Sequence, residues 1–172
     1  MSPIHVHKAF LCLGSNDDAE LRISEAFLAL QDIGPILTVS HVYESAASPP
    51  SAGPAYLNAA LCLTTQLEPG PLKTTLRALE QRLGRARASA TVAIDVDICL
   101  FDRIVVHEDG LNIPHPLLSR RAYMAVPVAE CDPDYRHPET NETLRELAAR
   151  LERTDPVTLT RRDDITLRLH GS

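Results

Sequence analysis

The 172-residue sequence predicts an α+β domain built on one antiparallel sheet, and three observations carry that expectation. Apolar runs of strand length alternate with two segments of helical periodicity, in the order strand, helix, strand, strand, helix, strand. Glycine and proline punctuate the changes of period, at Gly14, Gly34-Pro35, Pro71 and Gly84. Hydrophobic residues make up 44% of the chain and charged residues 23%, which supplies one core and no run long enough to span a membrane.

The elements follow in order. "KAFLCLGSN" is an apolar strand that ends at Gly14, after which Asn16 to Asp18 can cap a helix by accepting from its free N–H groups. "AELRISEAFLAL" reads as that helix, with Leu21, Ala26 or Phe27 and Leu30 about a turn apart, and Gly34-Pro35 stops it. "ILTVSHVYES" is rich in β-branched residues and reads as one strand. "SAASPPSAGPA" cannot hold a ladder because of its prolines and is a loop, and "YLNAALCLTT" resumes as a strand. "PGPLKTTLRALEQRLG" repeats Leu72, Leu76, Leu79 and Leu83 at i, i+4, i+7 and i+11, with Pro71 in its first turn and Gly84 past its end. "VAIDVDICLFD" is the fourth strand of the core. The order βαββαβ predicts a ferredoxin-like arrangement with the helices packed on one face of the sheet. "RIVVHED" can add a strand, "NETLRELAARLE" a late helix and "VTLTRRDDITLRLH" a terminal hairpin. One domain is expected over 1–172, with a core of about 8–135 and an extension of about 136–172.

The formal net charge of −6 argues against general nucleic-acid binding, which needs a basic surface to displace counterions from phosphates. Basic residues nevertheless gather locally in "RLGRAR" and "SRR", where a small anion could bind. Cys12, Cys62, Cys99 and Cys131 stand singly in apolar stretches with no C-x-x-C pair, which suits buried, reduced thiols. "MSPIHVHKAF" lacks the pattern of a secretory signal, so the cytoplasm is the expected compartment, and His5 and His7 are expected on a frayed end with no metal role.

Side chains alternate along a strand, so Ile94, Val96, Ile98 and Leu100 should share one face and Asp95 and Asp97 the other. Two unit charges about 7 Å apart repel by roughly 2 to 3 kcal/mol at an effective dielectric near 20, unless a cation compensates them. Hard carboxylate oxygens at this spacing suit Mg²⁺, which completes its shell with water and phosphate oxygens. Two aspartates facing solvent on an open sheet face satisfy the same pattern. Tyr56 and Asn58 likewise share a face, and a ring beside an amide suits a flat heterocycle as well as an ordinary strand end. Arg85 and Arg87 offer paired guanidinium forks for polyphosphate oxygens, or a solvated basic loop. Pro114 and Pro116 fix the backbone around His115, with Arg121 and Tyr123 close behind.

Taken together, "LGSN", "YLNAALCL", "LEQRLGRAR", "IDVDICLFD" and "IPHPLLSRRAYMAVPVAE" resemble, in order and at nearly the right spacing, the 6-hydroxymethyl-7,8-dihydropterin pyrophosphokinases of folate biosynthesis. The resemblance runs from about Lys8 to Tyr135. It implies transfer of diphosphate from ATP, with two Mg²⁺, to the hydroxymethyl group of the pterin, releasing AMP, by a monomer acting on small molecules. It further implies that Asp95 and Asp97 hold the metals, with Asp97 nearer the attacking hydroxyl. Tyr56 and Tyr123 would sandwich the pterin, Asn58 would bond its edge, and Ser45 would stand on the pterin side. Glu80, Arg85, Arg87, His115 and Arg121 would meet the nucleotide, and Arg85 and Arg87 would also act at the transfer centre.

Two departures stand out. The family's Trp-Gly-Pro-Arg-Thr-like run before the Asp-x-Asp strand is replaced by "ASATVAIDVD", on a shorter connection, with Val92 in the place of the arginine. Loss of comparable arginines costs roughly 10³ to 10⁵ in rate. Ser45, Ala46, Ala47 and Ser48 stand where a Pro-containing turn is common. Three outcomes therefore stay open: Arg85 or Arg87 substitutes for the missing cation, the acceptor is a related pterin, or the chain is a non-catalytic ATP- or pterin-binding module. A polymerase-β-like nucleotidyltransferase is set aside, because its Gly-Ser and Asp-x-Asp stand about a dozen residues apart, whereas here most of the domain separates them.

Overall fold

Strand β1 (His7–Ser15) takes an interior place in the sheet because Ala9 to Leu13 are five successive apolar, buried residues, so both of its faces must be covered. The computed structural model describes residues 5–47, 53–84, 90–108 and 110–165. On one side β1 pairs antiparallel with β4 (Tyr56–Thr65), and on the other with β5 (Asp95–Phe101). β2 (Ile36–Val39) and β3 (Tyr43–Ser45) both pair antiparallel with β4, and the described residues form a six-stranded sheet. The element order through β5 is the predicted βαββαβ with its second strand divided into β2 and β3.

Helix α1 (Ala19–Leu30) buries Ile23, Ala26, Phe27 and Leu30, the i, i+3, i+4, i+7 stripe that a helix lays on a sheet. Leu21, expected on that stripe, is 54% exposed instead. The expected capping is absent too: Asp18 stands at the N-cap with φ 47° and makes no side-chain cap. α2 (Pro69–Arg82) buries Leu72, Leu76 and Leu79 as its periodicity predicts, each worth roughly 1.5–3 kcal/mol of transfer free energy. Gly84 follows with φ 95°, a left-handed stop that costs glycine little. Both helices pack on the face of the sheet carrying Leu11, Leu13, Leu61, Val96 and Ile98.

The opposite face is not open. α3 (Ala122–Cys131) and α4 (Leu144–Thr154) cover much of it, in one cluster with Phe10, Cys12, Ala60, Cys62 and Cys99. α4 starts with a capping box, in which the Thr143 hydroxyl accepts from Glu146 N–H and the Glu146 carboxylate accepts from Thr143 N–H. α3 was not foreseen. It is buried almost all round and contains Pro127, so it shows neither a polar face nor a propensity signal.

Two departures from the expected strands have local causes. The run 36–45 breaks in two where Ser40 turns its hydroxyl into the ladder, accepting from Ala60 N–H at 2.8 Å. Leu100 lies on the α3 face, not with Ile94, Val96 and Ile98, because Leu11 pairs Ile98 while Phe10 pairs Leu100, leaving Cys99 as a one-residue bulge. Of the expected C-terminal hairpin, the first arm is β8 (Leu159–Arg161), which pairs with β3, and the return arm lies outside the described residues. "RIVVHED" does supply a strand, β6 (Val106–Glu108), paired with β7 (Leu111–Ile113) apart from the main sheet. His7 does not lie on a frayed end: it opens β1 at 7% exposure.

All four cysteines are buried free thiols, and burial pushes Cys62 to about 11 and Cys131 to about 12. His137, also buried, accepts at Nδ1 from the N–H groups of Glu139 and Thr140. Burial, the largest influence, holds its pKa below the ordinary 6.5. The unfolded chain therefore takes up this proton before the folded one does, so the associated stability is whole above about pH 6.5 and declines as pH falls. His137→Asn, which keeps a neutral acceptor, is expected to lose less melting temperature than the parent between about pH 7.5 and about pH 5. Equal losses would contradict this role.

Candidate active site

Register places the site. Gly14 in β1 stands opposite Asn58 in β4 and Asp95 in β5, and Cys12 stands opposite Asp97. With strands roughly 4.8 Å apart, Asn58 and Asp95 face each other across Gly14 at about 10 Å, on one face of the sheet. Gly14 forms a floor without a side chain; a Cβ there would touch Asn58 Oδ1 at 3.7 Å.

One cavity opens over this face, and a second opens along the edge strand β5, where α2 meets it from the other face. The smaller, about 230 Å³, is lined by Ser45, Tyr56, Asn58, Tyr123, Asp95 and Asp97. The larger, about 600 Å³, is lined by Lys73, Arg77, Glu80, His115 and again Asp95 and Asp97. The two carboxylates and Leu117 are shared, so the aspartates stand where one cavity meets the other. Neither points away from a concavity.

In the smaller cavity, Asn58 is 4% exposed and donates from Nδ2 to Ser45 Oγ at 2.9 Å, which fixes its amide. Burial, with Asp95 as a secondary influence, raises the Tyr56 phenol, and burial raises that of Tyr123, so both rings stay neutral. Replacing Asn58 with alanine is expected to raise KM for the smaller substrate roughly ten- to hundredfold by removing one oriented amide, with KM for the nucleotide within about twofold of the parent. Equal rises in both constants would contradict the division of the site.

In the larger cavity, Glu80 is 4% exposed and accepts from Val96 N–H at 2.7 Å, holding β5 between its two aspartates. His115 is anchored by its own N–H to Cys99 O at 2.9 Å, and its Nδ1 accepts from Leu117 N–H. Its Nε2 lies 3.7 Å from Asp97 Oδ1. Burial, then Lys73, lowers the His115 pKa, which favours a neutral ring with its proton on Nε2.

Among the described residues, Arg121 is the expected site residue that lines neither cavity. Its guanidinium lies 5.2 Å over the Tyr123 ring and pairs through Nε with Asp155 at 3.2 Å, so it buttresses the tyrosine. Arg85 and Arg87 lie outside the described residues.

Sequence reasoning missed Lys73 and Arg77, whose i, i+4 spacing on α2 was available as a signal but not which face met the sheet. It also misread Asn16. That side chain is 5% exposed, accepts from Val92 N–H at 2.6 Å and donates to Pro54 O at 3.3 Å, clasping the approaches to β4 and β5.

A model of the 7,8-dihydro-6-hydroxymethylpterin-pyrophosphokinase family matches residues 10–133. The chain belongs to that family. Among its relatives, the 2-amino-4-hydroxy-6-hydroxymethyldihydropteridine pyrophosphokinase of Synechocystis is 31% identical over 159 residues, covering 88% of this chain and 80% of that one. The pyrophosphokinase of Aquifex aeolicus is 32% identical over 140 residues, covering 80% and 88%. A folic acid synthesis protein of Dictyostelium discoideum is 28% identical across 83% of this chain, which spans only 22% of that protein. Of solved structures, Plasmodium falciparum HPPK-DHPS aligns with a TM-score of 0.71 at 14% identity, over 98% of this chain and 48% of that one, and shows the shared fold. In this pyrophosphokinase-family chain, no described helix is long and apolar enough to cross a membrane.

Proposed function

We propose that the chain transfers diphosphate from ATP to the hydroxymethyl oxygen of 6-hydroxymethyl-7,8-dihydropterin, releasing AMP. The observation that carries this reading is the sharing of Asp95 and Asp97 by two cavities of different character, one with two aromatic rings and an amide, the other with cations and a histidine. The pterin occupies the first, between Tyr56 and Tyr123 with Asn58 and Ser45 at its edge. The triphosphate enters the second. The pterin oxygen forms a bond to Pβ while the Pβ–O bond to the α-phosphate breaks, AMP leaves with that electron pair, and the hydroxyl proton passes to solvent.

Paired hard carboxylates at the junction fit Mg²⁺, two ions in this reading, which when bound would neutralise phosphate charge. Asp95 and Asp97 would hold them. The chain itself supplies positioning: Glu80 sets the strand, the His115 Nε2 proton is available to a phosphate oxygen, and Arg121 backs Tyr123. With Val92 in the place of the family arginine, Lys73 and Arg77 join Arg85 and Arg87 as cations for the triphosphate. Lys73 and Arg77 both line the larger cavity beside the two aspartates. A monomeric, cytoplasmic enzyme is the corresponding proposal.

The test is direct. The protein is incubated with MgATP and hydroxymethyldihydropterin and AMP is followed. AMP formed in step with pterin diphosphate supports the reading. Tight binding of both substrates without AMP would support the binding module instead.

A further inference from the structure

At the start of β1, far along the sheet from the aspartates, two histidines and an aspartate converge. We propose that His5, His7 and Asp102, with Glu68 beside them, form a site for a transition-metal ion of the Zn²⁺ class, separate from the Asp95 and Asp97 cavity. One ligand atom from each of His5, His7 and Asp102 lies within 4.8 Å of the others. Four-coordinate zinc holds donors about 2.0–2.2 Å from the ion, and so roughly 3.3 Å from each other, a small adjustment from this spacing.

The convergence follows from the chain. Residues two apart in an extended segment point to the same side, and the His5 and His7 ring centroids lie 4.4 Å apart. His7 is 7% exposed, yet both of its ring nitrogens face carboxylates: Nδ1 lies 2.7 Å from Asp102 Oδ2, and Nε2 lies 3.2 Å from Glu68 Oε1. Asp102 is fixed independently of these histidines. Its backbone holds φ 44°, its N–H donates to Lys8 O at 2.7 Å, and its Oδ1 accepts from Lys8 N–H at 2.8 Å. Its carbonyl oxygen accepts from the Tyr135 hydroxyl. Oδ2 is thereby aimed at His7, the kind of outer support that holds metal ligands in orientation.

The donor set chooses the ion. Two imidazoles with carboxylate oxygens suit Zn²⁺ and its neighbours, whereas Mg²⁺ prefers oxygen ligands alone. Bound there beside Asp102, the ion would tie the entry to β1 to the end of β5, while Glu68, the N-cap of α2, faces the other ring nitrogen of His7 and orients the ring. His7 lies seven residues from Gly14 along β1, about 23 Å at 3.3 Å per residue, so the ion would act on stability and not in the transfer step.

The test uses untagged, chelator-stripped full chain carrying Asp95→Asn and Asp97→Asn, so that the active-site carboxylates do not compete. Titration calorimetry with Zn²⁺ should show one ion per chain, and Co²⁺ should give the visible absorption of a four-coordinate site. Adding His5→Ala, an exposed position that leaves the fold intact, should weaken Zn²⁺ binding roughly tenfold or more and abolish the zinc-dependent rise in melting temperature. Asp102→Asn keeps a residue that tolerates the left-handed backbone and should weaken binding likewise. Undiminished affinity in His5→Ala, no zinc binding in its parent, or an equal response to Mg²⁺ would each overturn the site.

Discussion

Replacing Asp97 with asparagine should slow diphosphate transfer roughly 10²- to 10⁴-fold, since several kcal/mol of charge neutralisation leave the barrier at 1.36 kcal/mol per decade. The fold should not suffer. Asp97 lies at the mouth of both cavities, opposite Cys12, and its backbone pairing does not depend on its charge. Without metal the variant should melt close to the parent, because relief of the repulsion from Asp95, roughly 2 to 3 kcal/mol at an effective dielectric near 20 before discounting for exposure, is offset by loss of the approach to His115 Nε2 at 3.7 Å. Mg²⁺ with nucleotide should then raise the melting temperature of the parent and not that of Asp97→Asn. Activity assays and thermal melts with and without Mg²⁺ check both halves. Full turnover in the variant would remove Asp97 from the metal.

The second large effect concerns Glu80. Truncation to alanine leaves the buried Val96 N–H without its acceptor, at a cost of about 1–3 kcal/mol in stability. The same change frees the strand segment between Asp95 and Asp97, and a misplacement of about 1 Å at such a centre can cost roughly 10²-fold in rate. Glu80→Gln keeps an acceptor oxygen and should restore most of the stability. Denaturant melts and kcat with saturating substrates separate the two contributions. If Glu80→Gln is as impaired in melting as Glu80→Ala, the bond to Val96 is not what Glu80 supplies.

Much of this was readable before any coordinates, for physical reasons specific to each element. Leu72, Leu76 and Leu79 announce α2 because one of its faces is wet, and the alternation around Asp95 and Asp97 announces β5 because only one side of it meets aliphatic residues. α3 gave no such signal, since Ala122 to Cys131 is enclosed between sheet and α4 and has no polar face to set a period. The Cys99 bulge moved Leu100 across the sheet, and single-strand alternation cannot see an extra residue. Asn16 read as a helix cap because its type suits one, while its partner Val92 lies 76 residues away. In the site, Ser45, Tyr56, Asn58, Tyr123, Asp95 and Asp97 meet around one cavity and Glu80 and His115 around its neighbour, whereas Arg121 stands behind Tyr123.

In the proposed reaction Asp95 and Asp97 join the two cavities through a cation. Because transfer breaks the bond between Pβ and the oxygen bridging to the α-phosphate, an α,β-methylene analogue of ATP should bind without reacting. Mn²⁺ titrated into the protein with that analogue and followed by electron paramagnetic resonance reports the site directly. Binding of Mn²⁺ that requires the analogue and disappears in Asp95→Asn/Asp97→Asn is the predicted result. Mn²⁺ and analogue bound equally well by that double variant would contradict it.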